Sequence, residues 1–312
     1  MIVKNEEKVL ARCLDSIKDL MDEIIIVDTG STDATKEIAR RYTSKVYDFE
    51  WNGSFADARN YSFSKASAQY IYCADADEII DDENREKFAL LKKGLLPEID
   101  IVQMYYCNQM EYNTIYNYDK ELRPKLYKRV RTFTWRNPIH ETVSLQPIIY
   151  DSDIEIIHKP TGFHASRDLK AFEEMHADGL YMDERLHTLY AKELIMCGEK
   201  SNLLKSIPFF EGSIKDETRS NDSLLEAFCL LARAYRFKGD IPSFFKYAMK
   251  AVTMEGDGCA EICLELASYY HTLPDRNEER IWLIAALSAP CILNLETKTS
   301  AEKMLAELDR QG

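Results

Sequence analysis

The sequence predicts an α/β domain built on a parallel sheet, followed by an all-α domain. Three observations carry this. In the first half, short β-rich runs alternate with helical stretches at the spacing of βαβ units. After about residue 166 no convincing strand remains, and the pattern is helical to the end. The length of 312 residues fits two domains at about 100–200 residues each. The expected division is 1–165 and 166–312.

Taken in order, Met1-Ile2-Val3 is what the chain shows of a first strand, which is expected to be short. Residues 6–21 then place apolar side chains at 9, 10, 14, 17, 20 and 21, a helical period. Glu23-Ile24-Ile25-Ile26-Val27 is the solid apolar run of a strand buried on both faces, and it ends in the turn Asp28-Thr29-Gly30-Ser31-Thr32-Asp33. A helix over 34–42, a strand over 45–49, a helix over 55–68 and a strand over 70–74 follow. That last strand runs into Asp75-Ala76-Asp77-Glu78, with a helix expected over 84–94. Residues 99–106, 125–128, 132–135 and 154–158 read as further, less regular strands.

The helical half repeats itself. Leu231-Ala232-Arg233-Ala234-Tyr235 and Tyr247-Ala248-Met249-Lys250-Ala251 return as Leu266-Ala267-Ser268-Tyr269-Tyr270 and Trp282-Leu283-Ile284-Ala285-Ala286. Tyr235 to Tyr269 is 34 residues and Ala251 to Ala286 is 35, the tetratricopeptide period, with Gly239-Asp240 at a turn. Residues 190–210 resemble a degenerate earlier repeat. Generic helical hairpins are the plainer alternative.

A net charge of −13 gives no general affinity for phosphate backbones or anionic lipid, which argues against nucleic acid or a membrane surface as principal partner. With 46% hydrophobic and 30% charged residues, the composition is that of an ordinary globular protein. The eight cysteines show no CxxC pair or zinc spacing. No signal peptide is evident, so reduced thiols and a cytoplasmic location are expected. No apolar run approaches the roughly 18 residues of a transmembrane segment.

In open α/β sheets, ligands bind beyond the carboxyl ends of the strands. Three polar clusters fall there: Lys4-Asn5-Glu6, Asp28 with its turn, and Asp75-Ala76-Asp77-Glu78. Carboxylates spaced as Asp75 and Asp77 suit Mg²⁺ or Mn²⁺, which bind by one or two carboxylates plus substrate phosphates. Alone, such a cluster is as well explained by the positive end of a helix. Tyr105, Tyr106, Tyr112, Tyr116 and Tyr118, with Asn113 and Asn117, suit sugar rings or an extended peptide, or equally an ordinary hairpin.

The set Ile2-Val3-Lys4-Asn5-Glu6-Glu7, Ile25-Ile26-Val27-Asp28-Thr29-Gly30-Ser31-Thr32-Asp33, Phe55-Ala56-Asp57-Ala58-Arg59-Asn60 and Asp75-Ala76-Asp77-Glu78 resembles glycosyltransferase family 2 in content, order and spacing over about residues 1–100. The closest resemblance is to the bacterial branch in which tetratricopeptide helices follow the catalytic domain, a branch that includes peptide and protein glycosyltransferases. Asn137-Pro138-Ile139-His140-Glu141 and Ile157-His158-Lys159-Pro160-Thr161-Gly162-Phe163 are similar to it too. The resemblance implies a Rossmann-like GT-A sheet domain for nucleotide-diphospho-sugars. It implies that Val3, Asn5, Glu6, Asp28, Arg59, Asp75 and Ala76 line the nucleotide, with Asp28 toward the base. Asp77 would be the main metal ligand for Mn²⁺ or Mg²⁺, with Asp75 facing the ribose or the metal and His158 as a late ligand. Glu141 is the candidate catalytic base.

The expected activity is metal-dependent, inverting transfer from a UDP-sugar to a peptide or protein, the helical half presenting the acceptor or forming a homodimer. A cell-envelope or capsule glycan is the alternative acceptor. Outside this class stand a nucleotidyltransferase, which would need a glycine-rich phosphate loop where Lys4-Asn5-Glu6-Glu7 has no glycine, and a non-catalytic tetratricopeptide adaptor.

Overall fold

The computed structural model describes residues 1–108, 120–129, 135–140, 142–143, 147–159, 165–254 and 258–311. The chain divides into two compact units, Met1–Phe163 and His164–Gly312.

The first unit opens with β1 (Ile2–Val3), α1 (Leu10–Ile17), β2 (Ile26–Asp28), α2 (Thr35–Ala39), β3 (Val46–Asp48), α3 (Phe55–Ser64), β4 (Tyr70–Tyr72), β5 (Glu78–Ile79) and α4 (Asp82–Gly94). It continues with β6 (Ile101–Asn108), β7 (Lys120–Lys128), β8 (Trp135–Arg136), β9 (Thr142–Val143) and β10 (Ile149–His158). The strands β1, β2 and β3 are parallel, with Val3 opposite Asp28 and Asp28 opposite Asp48. Every residue of β2 is buried, but Glu23, Ile24 and Ile25 of the expected run precede the strand and are only partly buried.

The remaining strands correct the expectation of a parallel sheet. Their order is β4-β7-β6-β10-β5, and only the β6–β10 pair is parallel. β7 runs antiparallel to both β4 and β6, and β5 runs antiparallel to β10. Only residues 109–119 join β6 to β7, fewer than the dozen or more that a parallel crossover needs. A short third ladder pairs β8 with β9. The strand expected over 132–135 falls partly outside the described residues; Trp135 begins β8.

One apolar core joins these layers. Leu10, Cys13, Leu14 and Ile17 of α1 pack with Ile26, Phe88, Val102, Met104, Ile154 and Ile156. Polar side chains set the helix starts: Ser54 accepts from the Asp57 N–H to cap α3, and Asp81 accepts from the Asn84 N–H to cap α4.

The second unit is all helix: α5 (Ala165–Ala177), α6 (Glu184–Cys197), α7 (Lys200–Ser213), α8 (Asn221–Lys238), α9 (Ile241–Val252), α10 (Ala260–Tyr270), α11 (Arg276–Ser288) and α12 (Glu296–Gln311). The repeat is built as two helix pairs, α8 with α9 and α10 with α11. Tyr235 and Tyr269 sit near the ends of the leading helices, and Ala251 and Ala286 are buried on the second ones. Gly239 ends α8 at φ 83°, a left-handed cap that glycine adopts without strain, and Asp240 caps α9 through the Ser243 N–H.

Candidate functional site

The clusters gather at the carboxyl ends of β1, β2 and β4. Beyond β1, Asn5 sits at φ 57° and laces its loop to the one after β2. Its N–H donates to Ser31 Oγ at 2.9 Å, and its side-chain oxygen accepts from the Thr32 N–H at 2.8 Å. The Glu6 N–H donates to Thr35 Oγ1 at 2.7 Å, and Glu7 accepts from the Ala34 N–H at 3.0 Å. These bonds tie the two loops together before any ligand arrives.

Asp28 ends β2 with 1% exposure. One carboxylate oxygen accepts from the Gly30 and Ser31 N–H groups at 3.0 and 2.9 Å. Gly30 is at φ 101°, a conformation that only glycine takes cheaply. The other oxygen, Oδ2, is buried and has no hydrogen-bond partner in the structure. A buried acceptor without a donor costs free energy until a ligand N–H supplies one.

The Asp75–Glu78 turn joins β4 to β5. Because β5 pairs with β10, His158 lies opposite Glu78, and its Nε2 is 3.0 Å from Asp77 Oδ2. The Lys159 N–H donates to the Asp77 carbonyl at 2.8 Å, which locks the same junction. His158 Nδ1 is buried without a partner, and the Tyr106 ring lies 5.1 Å from the imidazole. Among the described residues no group of three His, Cys, Asp or Glu side chains is gathered for a metal. The donor set is therefore one carboxylate and one imidazole, which fits Mn²⁺ or Mg²⁺ completing its shell with phosphate and water.

Asp75 faces two cations. Arg59 donates to its Oδ1 at 3.0 Å, and Lys125 of β7 lies 3.4 Å from its Oδ2. The plain alternative, a pair between Arg59 and Asp57, is not formed: Asp57 accepts from Asn52 at 2.6 Å. Desolvation would raise Asp75, but Lys125 and Arg59 outweigh it and hold it well below the ordinary carboxylate range. Glu78 is raised by burial and by Asp75 beside it, against the pull of Lys125, to which it is hydrogen-bonded. Cys13 Sγ donates to the Asp75 carbonyl at 3.3 Å, tying α1 to this turn.

The motif on α3 does a second job. Asn60 accepts from the Trp135 N–H at 2.9 Å and donates to its carbonyl at 3.2 Å. The Phe55 N–H donates to the Pro138 carbonyl at 2.8 Å. The helix that carries Arg59 thereby anchors Asn137-Pro138-Ile139-His140. Glu141, Tyr112, Tyr116, Tyr118, Asn113 and Asn117 lie outside the described residues, as do 160–163 of the late motif. Val3 is buried in β1, and Ala76 is buried between the two aspartates. A cavity of about 520 Å³, lined in part by Ile24, Ile25, Tyr70, Tyr72 and Leu91, includes none of Asn5, Asp28, Arg59, Asp75, Asp77 or His158.

Lys125 and the bracing role of Asn60 are absent from the sequence-derived site, and Glu78 enters it only as the last member of its cluster, with no role of its own. A lysine inside an otherwise strand-like run was the available signal, since a buried ammonium needs a carboxylate partner.

The N-terminal unit is a mixed-sheet domain with carboxylates at its strand ends, followed by a helical unit. Residues 1–154 match Glycosyl transferase family 2, and the N-terminal unit belongs to that family. The chain is similar to the prophage-derived glycosyltransferase SunS of Bacillus subtilis, 37% identical over 97 residues, 30% of this chain and 23% of that one. It is 44% identical over 78 residues to a TPR repeat-containing protein of Synechococcus elongatus, 25% of this chain and 19% of the other. The chain thus spans about a fifth of the length of these curated relatives. A crystal structure of glucosyl-3-phosphoglycerate synthase from Mycobacterium tuberculosis, in complex with Mn²⁺ and UDP-glucose, overlaps partially: TM-score 0.40, 15% identity, 58% of this chain and 78% of that one.

Proposed function

We propose that this protein transfers a sugar from a UDP-sugar to a peptide or protein acceptor, with inversion and with Mn²⁺ or Mg²⁺. The carrying observation is the Asp77–His158 pair at the strand ends of a family 2 glycosyltransferase domain. Asp28 supports the reading: its unpartnered buried oxygen is an acceptor suited to the uracil N3–H. Arg59, fixed by Asp75, adds a permanent cation to the nucleotide pocket.

In this reading Asp77 and His158 hold the metal, which when bound neutralises charge developing on the departing diphosphate. The loop bonds of Asn5, Glu6 and Glu7 keep the nucleotide rim in place, so little ordering cost falls on binding. Glu141 takes the acceptor proton, which requires a carboxylate within hydrogen-bond reach of the nucleophile. The helical unit presents the acceptor or pairs with a second copy, since stacked helix pairs build extended surfaces.

A panel of nucleotide sugars tested for hydrolysis in Mn²⁺ checks the reading. We expect one or a few UDP-sugars to turn over, and chelation to stop the reaction. Turnover of no UDP-sugar, with robust turnover of another nucleotide's sugars, would overturn the donor assignment.

A further inference from the structure

Lys125 is 5% exposed, yet nothing in the donor or acceptor chemistry above requires a buried ammonium. Its three N–H donors face three acceptors: Glu78 Oε1, Asp75 Oδ2 at 3.4 Å and the Cys73 carbonyl at 3.4 Å. The other oxygen of Asp75 is held by Arg59, and Glu78 Oε2 accepts from the Asp75 N–H at 3.2 Å. Every carboxylate oxygen of Asp75 and Glu78 therefore has a partner from the protein. Asp77, between them in sequence, faces only the imidazole of His158 among the described residues.

We propose that Lys125 is a positioning residue that withholds Asp75 and Glu78 from the metal, leaving Asp77 and His158 as the side chains that receive a single dication. This rests on the proposed metal role of Asp77 and His158. The pairing supports it: two carboxylates, Asp75 and Glu78, are matched by two cations, Arg59 and Lys125, which leaves Asp77 to His158. Without Lys125 the turn would carry one more negative charge and two carboxylates able to draw the dication away from Asp77. The strand pairing places it there, because the Cys73 N–H donates to the Lys125 carbonyl at 2.7 Å and sets β7 beside the turn.

The test is Mn²⁺ titration of the full chain followed by electron paramagnetic resonance, with UDP present, alongside donor turnover and thermal melting. Lys125→Met should bind Mn²⁺ at least three-fold more tightly, while kcat falls at least ten-fold and the donor KM changes less than three-fold. A merely structural loss would weaken both. Lys125→Arg should hold Mn²⁺ affinity within about two-fold of wild type. Glu78→Gln should weaken Mn²⁺ at least three-fold, and Lys125→Met/Glu78→Gln should restore it. If Lys125→Met does not fold, the last two variants decide, and equal affinity in them overturns the proposal. Unchanged or weaker Mn²⁺ binding by a folded Lys125→Met overturns it as well. A wild-type chain that takes up no Mn²⁺ with UDP present overturns the metal reading beneath it.

Discussion

Asp28 is the residue whose geometry speaks most directly of a ligand. Its Oδ1 is satisfied by two backbone N–H groups, and its Oδ2 is buried and empty-handed. Asp28→Ala should weaken UDP binding by about 1.5–3 kcal/mol, roughly 10–100-fold, as expected for a lost charge-assisted hydrogen bond. An unchanged dissociation constant would remove Asp28 from the pocket. Glu141→Gln should keep UDP and Mn²⁺ binding but slow transfer by about 10²–10⁴-fold, because an amide cannot take up the proton. More than half the wild-type rate would show that another group is the base. The candidates Asp28, Asp75 and Asp77 were legible because each sits in a short local motif at a strand end, and Arg59 because it belongs to the short motif on α3. Lys125 was not, because its partners Asp75 and Glu78 lie 50 and 47 residues earlier and meet it only through the β4–β7 pairing. Asn60 was quoted only as part of a motif, and its grip on Trp135 spans 75 residues.

The helices and strands show the same division between local and distant information. The period of α1 and the Gly239-Asp240 turn are written in neighbouring residues, and the structure builds them nearly where expected, whereas β2 begins only at Ile26, inside the apolar run that announced it. The directions of β4, β5 and β7 are not written locally, because direction depends on which strand each one finds. Alternation of strand and helix correctly announced the parallel β1–β3 group, and failed where β7 turned back beside β6. In the helical unit, Gly198 follows α6, and a Cβ there would stand 2.4 Å from the Leu194 carbonyl oxygen. Backbone cannot yield as a flexible side chain does, so Gly198→Ala should destabilise the chain by about 1–3 kcal/mol. Thermal melting checks this, at about 2–4 °C per kcal/mol if the unit melts as one. An unchanged midpoint would mean that the α6–α7 connection is looser than described.

The whole chain joins a family 2 glycosyltransferase domain to a helical unit with no described helix long and apolar enough to cross a membrane. Donor chemistry in this account belongs entirely to the N-terminal unit, whose Asp28 awaits a base and whose Asp77 and His158 await a dication. In the proposed reading Lys125 and Arg59 set the charge around that site, and the helical unit presents the acceptor or pairs with a second copy. Binding of UDP and of metal should therefore be one linked event. The most direct measurement is calorimetry of UDP binding to the intact chain, with Mn²⁺ and then with the metal chelated, repeated on Asp77→Ala. The account predicts UDP binding in Mn²⁺ that weakens at least ten-fold both on chelation and in Asp77→Ala, whose melting stays close to wild type. Equal UDP affinity with and without metal, or an Asp77→Ala variant that binds as the wild type does, would contradict it.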